Sequence, residues 1–234
     1  MPLIDWLLAP LSGASTHQIA PWVSWHARFM VLGWGLLLPL GALMARFFKV
    51  TPSQGWPLRL DNKFWWHTDR GLQWSGVVAM TVGLVLAWRG AQGATELARI
   101  HAVAGWVLCA AGWAQVLGTL LRGSSGGPAA PQMRGDHYDM TRRRLLFERV
   151  HKSVGWLCVI AAIGVIVLGL VMADAPRWML VVMGLWWGLL ACAFAVLQKR
   201  GRCIDTYQAL WGPDPIHPGN QKPPVGWGVR RPFD

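Results

Sequence analysis

The chain is short of charge. Only 14% of its 234 residues are Asp, Glu, Lys or Arg, where a soluble domain carries about 25%. With 53% hydrophobic residues and a mean hydropathy of +0.32, this deficit argues against an ordinary soluble domain and for a polytopic membrane protein. Acidic residues are scarcer still, 11 against 22 Lys and Arg. The basic residues sit in the loops between apolar stretches, which assigns them to lipid headgroups and topology rather than to nucleic acid. Paired cysteines are also missing. Cys109, Cys158 and Cys192 lie inside apolar runs, Cys203 stands outside them, and there is no CxxC or CxxCH. Neither a disulfide framework, a zinc site nor covalent cofactor attachment is indicated. The N-terminus lacks a basic region, and its apolar run Leu3 to Leu11 is broken by Asp5, Trp6 and Pro10. It is too short to span a bilayer, so a short interfacial helix is expected there rather than a leader peptide.

What remains are five apolar stretches near the roughly 20 residues that a spanning helix needs: Trp22–Phe48, Phe64–Trp88, Ile100–Leu121, Val150–Met172 and Trp178–Leu197. The fold class expected is therefore all-α, a polytopic membrane protein of five transmembrane helices around a four-helix core. Residues 1–21 form an N-terminal segment, 22–198 the membrane domain with its core at 22–172, and 199–234 a tail. The loop Gly123–Glu148 opens with a Gly/Ser/Pro tract that reads as flexible. The Pro/Gly-rich tail is expected to lie ordered in patches against the membrane face or a partner. Seventeen Lys and Arg fall on one side of these spans and three on the other. The positive-inside rule then puts the N-terminus outside and the C-terminus in the cytoplasm, in what reads as a bacterial inner membrane.

Four histidines, His26, His67, His101 and His151, each stand near the start of one of the first four stretches. Consecutive spans run in opposite directions, so His26 and His101 share the outer side and His67 and His151 the cytoplasmic side. Two histidine pairs, one per leaflet, suit two haems in series, because a haem iron with no open position takes two axial side chains, commonly from facing helices. Glycine follows at i+4 in three cases, Gly71, Gly105 and Gly155, and at i+7 after His26, as Gly33. Both spacings return to the histidine's own helical face, where a missing side chain would make room for a flat ring. Arg70, Arg149 and Lys152 stand near the inner pair and Arg28 and Arg99 near the outer one, all candidates to meet haem propionates. Arg70 ranks above Arg28, being at i+3 from its histidine rather than i+2. His17, His137 and His217 read as ordinary loop or tail residues. Trp65, Trp66, Trp88 and Trp178 read as interfacial belt residues, mid-span Trp34, Trp74, Trp113, Trp156, Trp186 and Trp187 as packing, and Gln115 as an interhelical hydrogen-bonding amide.

Trp25-His26-Ala27-Arg28-Phe29-Met30, closing at Ala45-Arg46-Phe47-Phe48-Lys49, resembles the first core helix of the cytochrome b561 family, nearest to its DOMON-associated branch. Phe64-x-x-His67 with Leu72-Gln73, His101-x-x-x-Gly105 with Gln115, and Arg149-Val150-His151-x-x-x-Gly155-Trp156 resemble its next three. The order of the four histidines is specific, whereas each motif alone is weak. The resemblance covers roughly residues 22 to 172. It implies two b-type haems, His26 paired with His101 and His67 with His151, and electron transfer across the membrane. Arg99-Ile100-His101-Ala102-Val103 stands where ascorbate-using members carry Ser-Leu-His-Ser-Trp, which speaks against ascorbate. A protein redox partner or a quinone is the expected counterpart, and the chain could equally serve as a haem-bearing subunit docked on a larger redox or photosynthetic complex. A metal or proton transporter is the remaining rival. It is disfavoured because the histidines sit toward both surfaces rather than at one midplane site.

Overall fold

A computed structural model describes residues 2–13, 19–90 and 95–232. Among them the secondary structure is helical, without strands. A short helix α1 (Leu3–Leu8) precedes five helices long and apolar enough to cross a membrane: α2 (Pro21–Phe47), α3 (Lys63–Gly90), α4 (Glu96–Leu121), α5 (Arg142–Met172) and α6 (Arg177–Lys199). A short α7 (Thr206–Trp211) and a 3₁₀ turn (Pro218–Gln221) lie in the tail. The protein is thus a polytopic helical membrane protein. Length and apolar composition form the spans; little else in solution would hide so many apolar side chains.

The bounds differ most in α5, which starts at Arg142 rather than Val150. The three arginines read as loop on hydropathy, yet arginine is a good helix former. Thr141 caps the new start by accepting a hydrogen bond from the Arg144 amide through Oγ1 at 3.4 Å. His151 is consequently well inside its helix, while His26, His67 and His101 lie in the first two turns of theirs.

The chain divides into two compact units, and each long helix has residues in both. The first comprises Met1–Leu40, Leu72–Gly112 and Leu157–Cys192. In it, residues Val31–Leu37 of α2 widen into a π-helical turn. Such a turn frees backbone carbonyls, and the indole N–H of Trp186 donates to the Gly35 carbonyl at 2.9 Å. Gly33 is packed against α3: a Cβ there would stand 2.8 Å from the Gly76 carbonyl oxygen. Gly33 therefore permits close helix packing, which corrects the expectation that it clears space for a ring. The N-terminal segment is tied to the α5–α6 turn, where the Ser12 amide and hydroxyl both donate to the Asp174 carboxylate, at 2.7 and 2.6 Å.

The second unit comprises Gly41–Gly71, Trp113–Trp156 and Ala193–Asp234. Here the loop before α5 and the tail fold onto each other, and the Gly/Ser/Pro tract expected to be flexible is held by the His137 and Tyr138 amides, which donate to the Ser124 and Ser125 carbonyls at 3.0 and 2.9 Å. Tyr138, Met140, Tyr207 and Val225 are buried together, with Leu145 and Trp211 against them. Tyr207 donates to the Tyr138 carbonyl at 2.7 Å, and Lys222 donates to the carbonyls of Asp139 and Met140 at 2.9 and 2.8 Å. Asp205 caps α7 and pairs with Arg231 at 2.7 Å, both side chains only 6% exposed. Lys49, just past α2, is buried and donates to the carbonyls of Arg46 and Ile204 at 3.2 and 3.3 Å. Desolvation pushes its pKa down to about 8. Trp65 is buried rather than interfacial, stacked edge-on to Trp66.

Candidate haem sites

His26 and His101 belong to the first unit, and their rings meet. The centroids are 6.2 Å apart and the planes stand at 82°. A metal–imidazole bond is about 2.0 Å and a ring centre lies about 1 Å behind its nitrogen, so two imidazoles opposed across one metal atom have centroids roughly 6 Å apart. The observed pair is spaced for that. Pro21 starts α2 without needing a backbone N–H, which sets His26 in the second turn. His26 Nδ1 lies 2.9 Å from the Gly83 carbonyl oxygen on α3. A carbonyl only accepts, so Nδ1 holds the proton and Nε2 keeps its lone pair for a metal. His101 fits because residue 169 is glycine: a Cβ there would stand 3.0 Å from His101 Cε1. Nδ1 of His101 is buried without a hydrogen bond of normal geometry, and the backbone acceptor facing that ring is Val165. Gly105, one turn beyond His101, has no atom within 4 Å of the place a Cβ would take. Arg28 lies over the Trp25 ring at 4.7 Å, and Arg99 pairs with Glu96 at 2.8 Å.

His67 and His151 belong to the second unit. Among the described residues no ring contact joins them. His67 is exposed, and Gly71 beside it faces open space. His151 stacks on Phe147, with centroids 5.2 Å apart at 24°. A Cβ on Gly155 would meet only Oε1 of Gln115, at 4.0 Å. That oxygen is buried and accepts no hydrogen bond, contrary to the interhelical bond expected of Gln115. Lys152 is engaged within the protein: it donates to Glu148 at 2.6 Å and to the Val225 carbonyl at 2.9 Å. Glu148 also holds Arg144, at 2.9 Å, and is itself only 6% exposed. Arg149 and Arg70 are exposed. Arg70 and Arg144 both act on Arg122, whose guanidinium lies over the Trp66 ring at 5.5 Å. Partial burial, with these two like charges, lowers the Arg122 pKa below its usual value.

Sequence reasoning missed the Gly83 carbonyl, Gly169, Val165 and Arg122. None carries a signal of its own, because each matters only through its neighbour across a helix pair. Of the loop and tail histidines, His137 is buried against Tyr207 and Trp211, and His217 shares a hydrogen bond of 3.0 Å with the Tyr138 hydroxyl. His17 lies outside the described residues. Among the described residues no group of three or more His, Cys, Asp or Glu side chains is arranged to hold a metal ion. A bis-histidine haem asks the protein for only two donors.

The described residues define a polytopic helical membrane protein in which the rings of one histidine pair, His26 and His101, face each other. No family model matches the chain, and no solved structure does. It is similar to a cytochrome b561, DM13 and DOMON domain-containing protein of Arabidopsis thaliana, 26% identical over 197 residues. The match covers 82% of this chain and 20% of that protein, so the chain spans about a fifth of its relative's length.

Proposed function

We propose that the chain is a dihaem b-type cytochrome that carries electrons across the membrane. His26 and His101 would ligate one haem toward the outer face, and His67 and His151 the other toward the cytoplasmic face. The observation that carries this reading is the His26–His101 pair, with ring centres 6.2 Å apart and His26 Nδ1 turned to a carbonyl. The open space at Gly71 and Gly105, and the near-open notch at Gly155, support it as places for a flat ring beside three of the four histidines. The likeness to a cytochrome b561 domain protein supports the haem type.

When bound, each haem would supply one-electron redox chemistry. The chain's own part is to hold, orient and insulate. The Gly83 carbonyl fixes the tautomer of His26. Glycine at 169 lets the His101 ring stand in place. The apolar spans keep water from the sites, and burial of that kind tunes a potential. Arg70, one turn after His67, and Arg122, over the neighbouring Trp66 ring, supply positive charge that propionates would meet. Arg149 is open to the same use, whereas Lys152 is already held by Glu148 and would contribute by charge alone. Electrons would be exchanged with a protein redox partner or a quinone.

Replacing His101 by alanine tests the pairing. Purified His101→Ala protein should keep one haem per chain and lose the other, read by pyridine haemochrome and by the ferric axial-ligand signal in electron paramagnetic resonance. Loss of both haems, or of neither, would count against it.

A further inference from the structure

Gln115 is a polar side chain that the haem ligation does not use. It stands on α4 in the second unit, and its carbonyl oxygen is buried without a hydrogen bond. An amide oxygen in a membrane span is costly to leave unpaired, since no water is at hand to satisfy it. The usual remedy is an interhelical hydrogen bond, and Oε1 has none. Where it points is specific. Among the described residues, and apart from the chain neighbours and nearby backbone of its own helix, it is the only atom within 4 Å of the position a Cβ on Gly155 would occupy, at 4.0 Å. Gly155 lies one helical turn after His151 and faces the same way. The oxygen thus overlooks the notch beside a candidate axial histidine. Among the described residues no atom of another segment lies within 4 Å of the corresponding position at Gly105.

We infer that Gln115 sets the potential of the haem held by His151, an inference that rests on the function proposed above. The oxygen is the negative end of the amide dipole. Directed at the notch, in surroundings of low dielectric, it favours the more positive state of whatever lies there. A ferric haem with two neutral imidazoles carries one more positive charge than the ferrous form. Gln115 therefore holds that haem more oxidised, at a lower midpoint potential, than an apolar side chain would. At the His26–His101 site the Gly83 carbonyl is taken up by the His26 ring, so the unpaired oxygen of Gln115 acts on the His151 haem and shifts its potential relative to the other.

The test uses the full-length protein in detergent or nanodiscs, with Gln115→Met as the main variant because methionine keeps length and loses the dipole. Gln115→Leu is the second variant. Redox titration followed in the haem α-band resolves two components, and His151→Ala identifies the one concerned. The expected result is an upward shift of that component alone, a several-fold change in its oxidised-to-reduced ratio at fixed ambient potential, with haem content unchanged. An unmoved potential in both variants, a downward shift, or an equal shift of both components would overturn the role of Gln115. Wild-type protein without haem would instead overturn the reading on which it rests.

Discussion

Gly105 offers a substitution for which protein packing and cofactor binding give opposite outcomes. No atom lies within 4 Å of the position a Cβ would take there, so alanine meets no protein neighbour. Replacing a mid-helix glycine by alanine generally stabilises a helix by about 1 kcal/mol. If the space is lipid or void, Gly105→Ala should therefore be neutral or mildly stabilising, and Gly105→Leu little worse. If the space receives a porphyrin, the added methyl overpacks it. Overpacking typically costs about 1–3 kcal/mol, which corresponds to roughly 5- to 150-fold weaker haem binding. Leucine should abolish binding at that site. The assay is haem content per chain with thermal unfolding of the same preparations. Haem lost from the His26–His101 site, with the apoprotein at least as stable as wild type, is the expected pattern. Full haem content in Gly105→Leu would refute the cradle.

Two further outcomes concern the second unit. Asp205→Asn breaks an ion pair whose side chains are both 6% exposed and leaves Arg231 buried without its counter-charge. A loss on the order of 3–5 kcal/mol from the packing of the tail is expected, visible as proteolytic cleavage between Gly201 and Asp234 while the spans stay protected. Burial, assisted by Arg144, pushes the His137 pKa down to about 4. The folded form thus resists a proton that the unfolded form accepts near pH 6.5, so stability falls as pH drops from about 6.5 toward 4, by about 3 kcal/mol at most. Thermal melts should show this dependence in wild type and a flatter one in His137→Phe. Equal slopes would contradict it.

The spans were legible because hydropathy over some 20 residues is a strong signal and lipid enforces it. Alternation of helix direction then sorted the histidines without knowledge of packing. Where charge and helix propensity disagree, as at Arg142–Arg144, hydropathy put the helix start too late. The glycines were legible only in part. Gly71, Gly105 and Gly155 border space, whereas Gly33 has the same apparent pattern but meets the Gly76 backbone. Pattern on one helix cannot distinguish a notch for a ligand from a notch for a neighbour. The tail was least legible. Its order comes from pairings such as Asp205 with Arg231 and Lys222 with the carbonyls of Asp139 and Met140, which low-complexity composition conceals.

Four histidines in two pairs would hold two haems. A pyridine haemochrome assay on purified protein, set against protein concentration by amino-acid analysis, measures it directly. Close to two haem b per chain is expected. Fewer than about one per chain would contradict it.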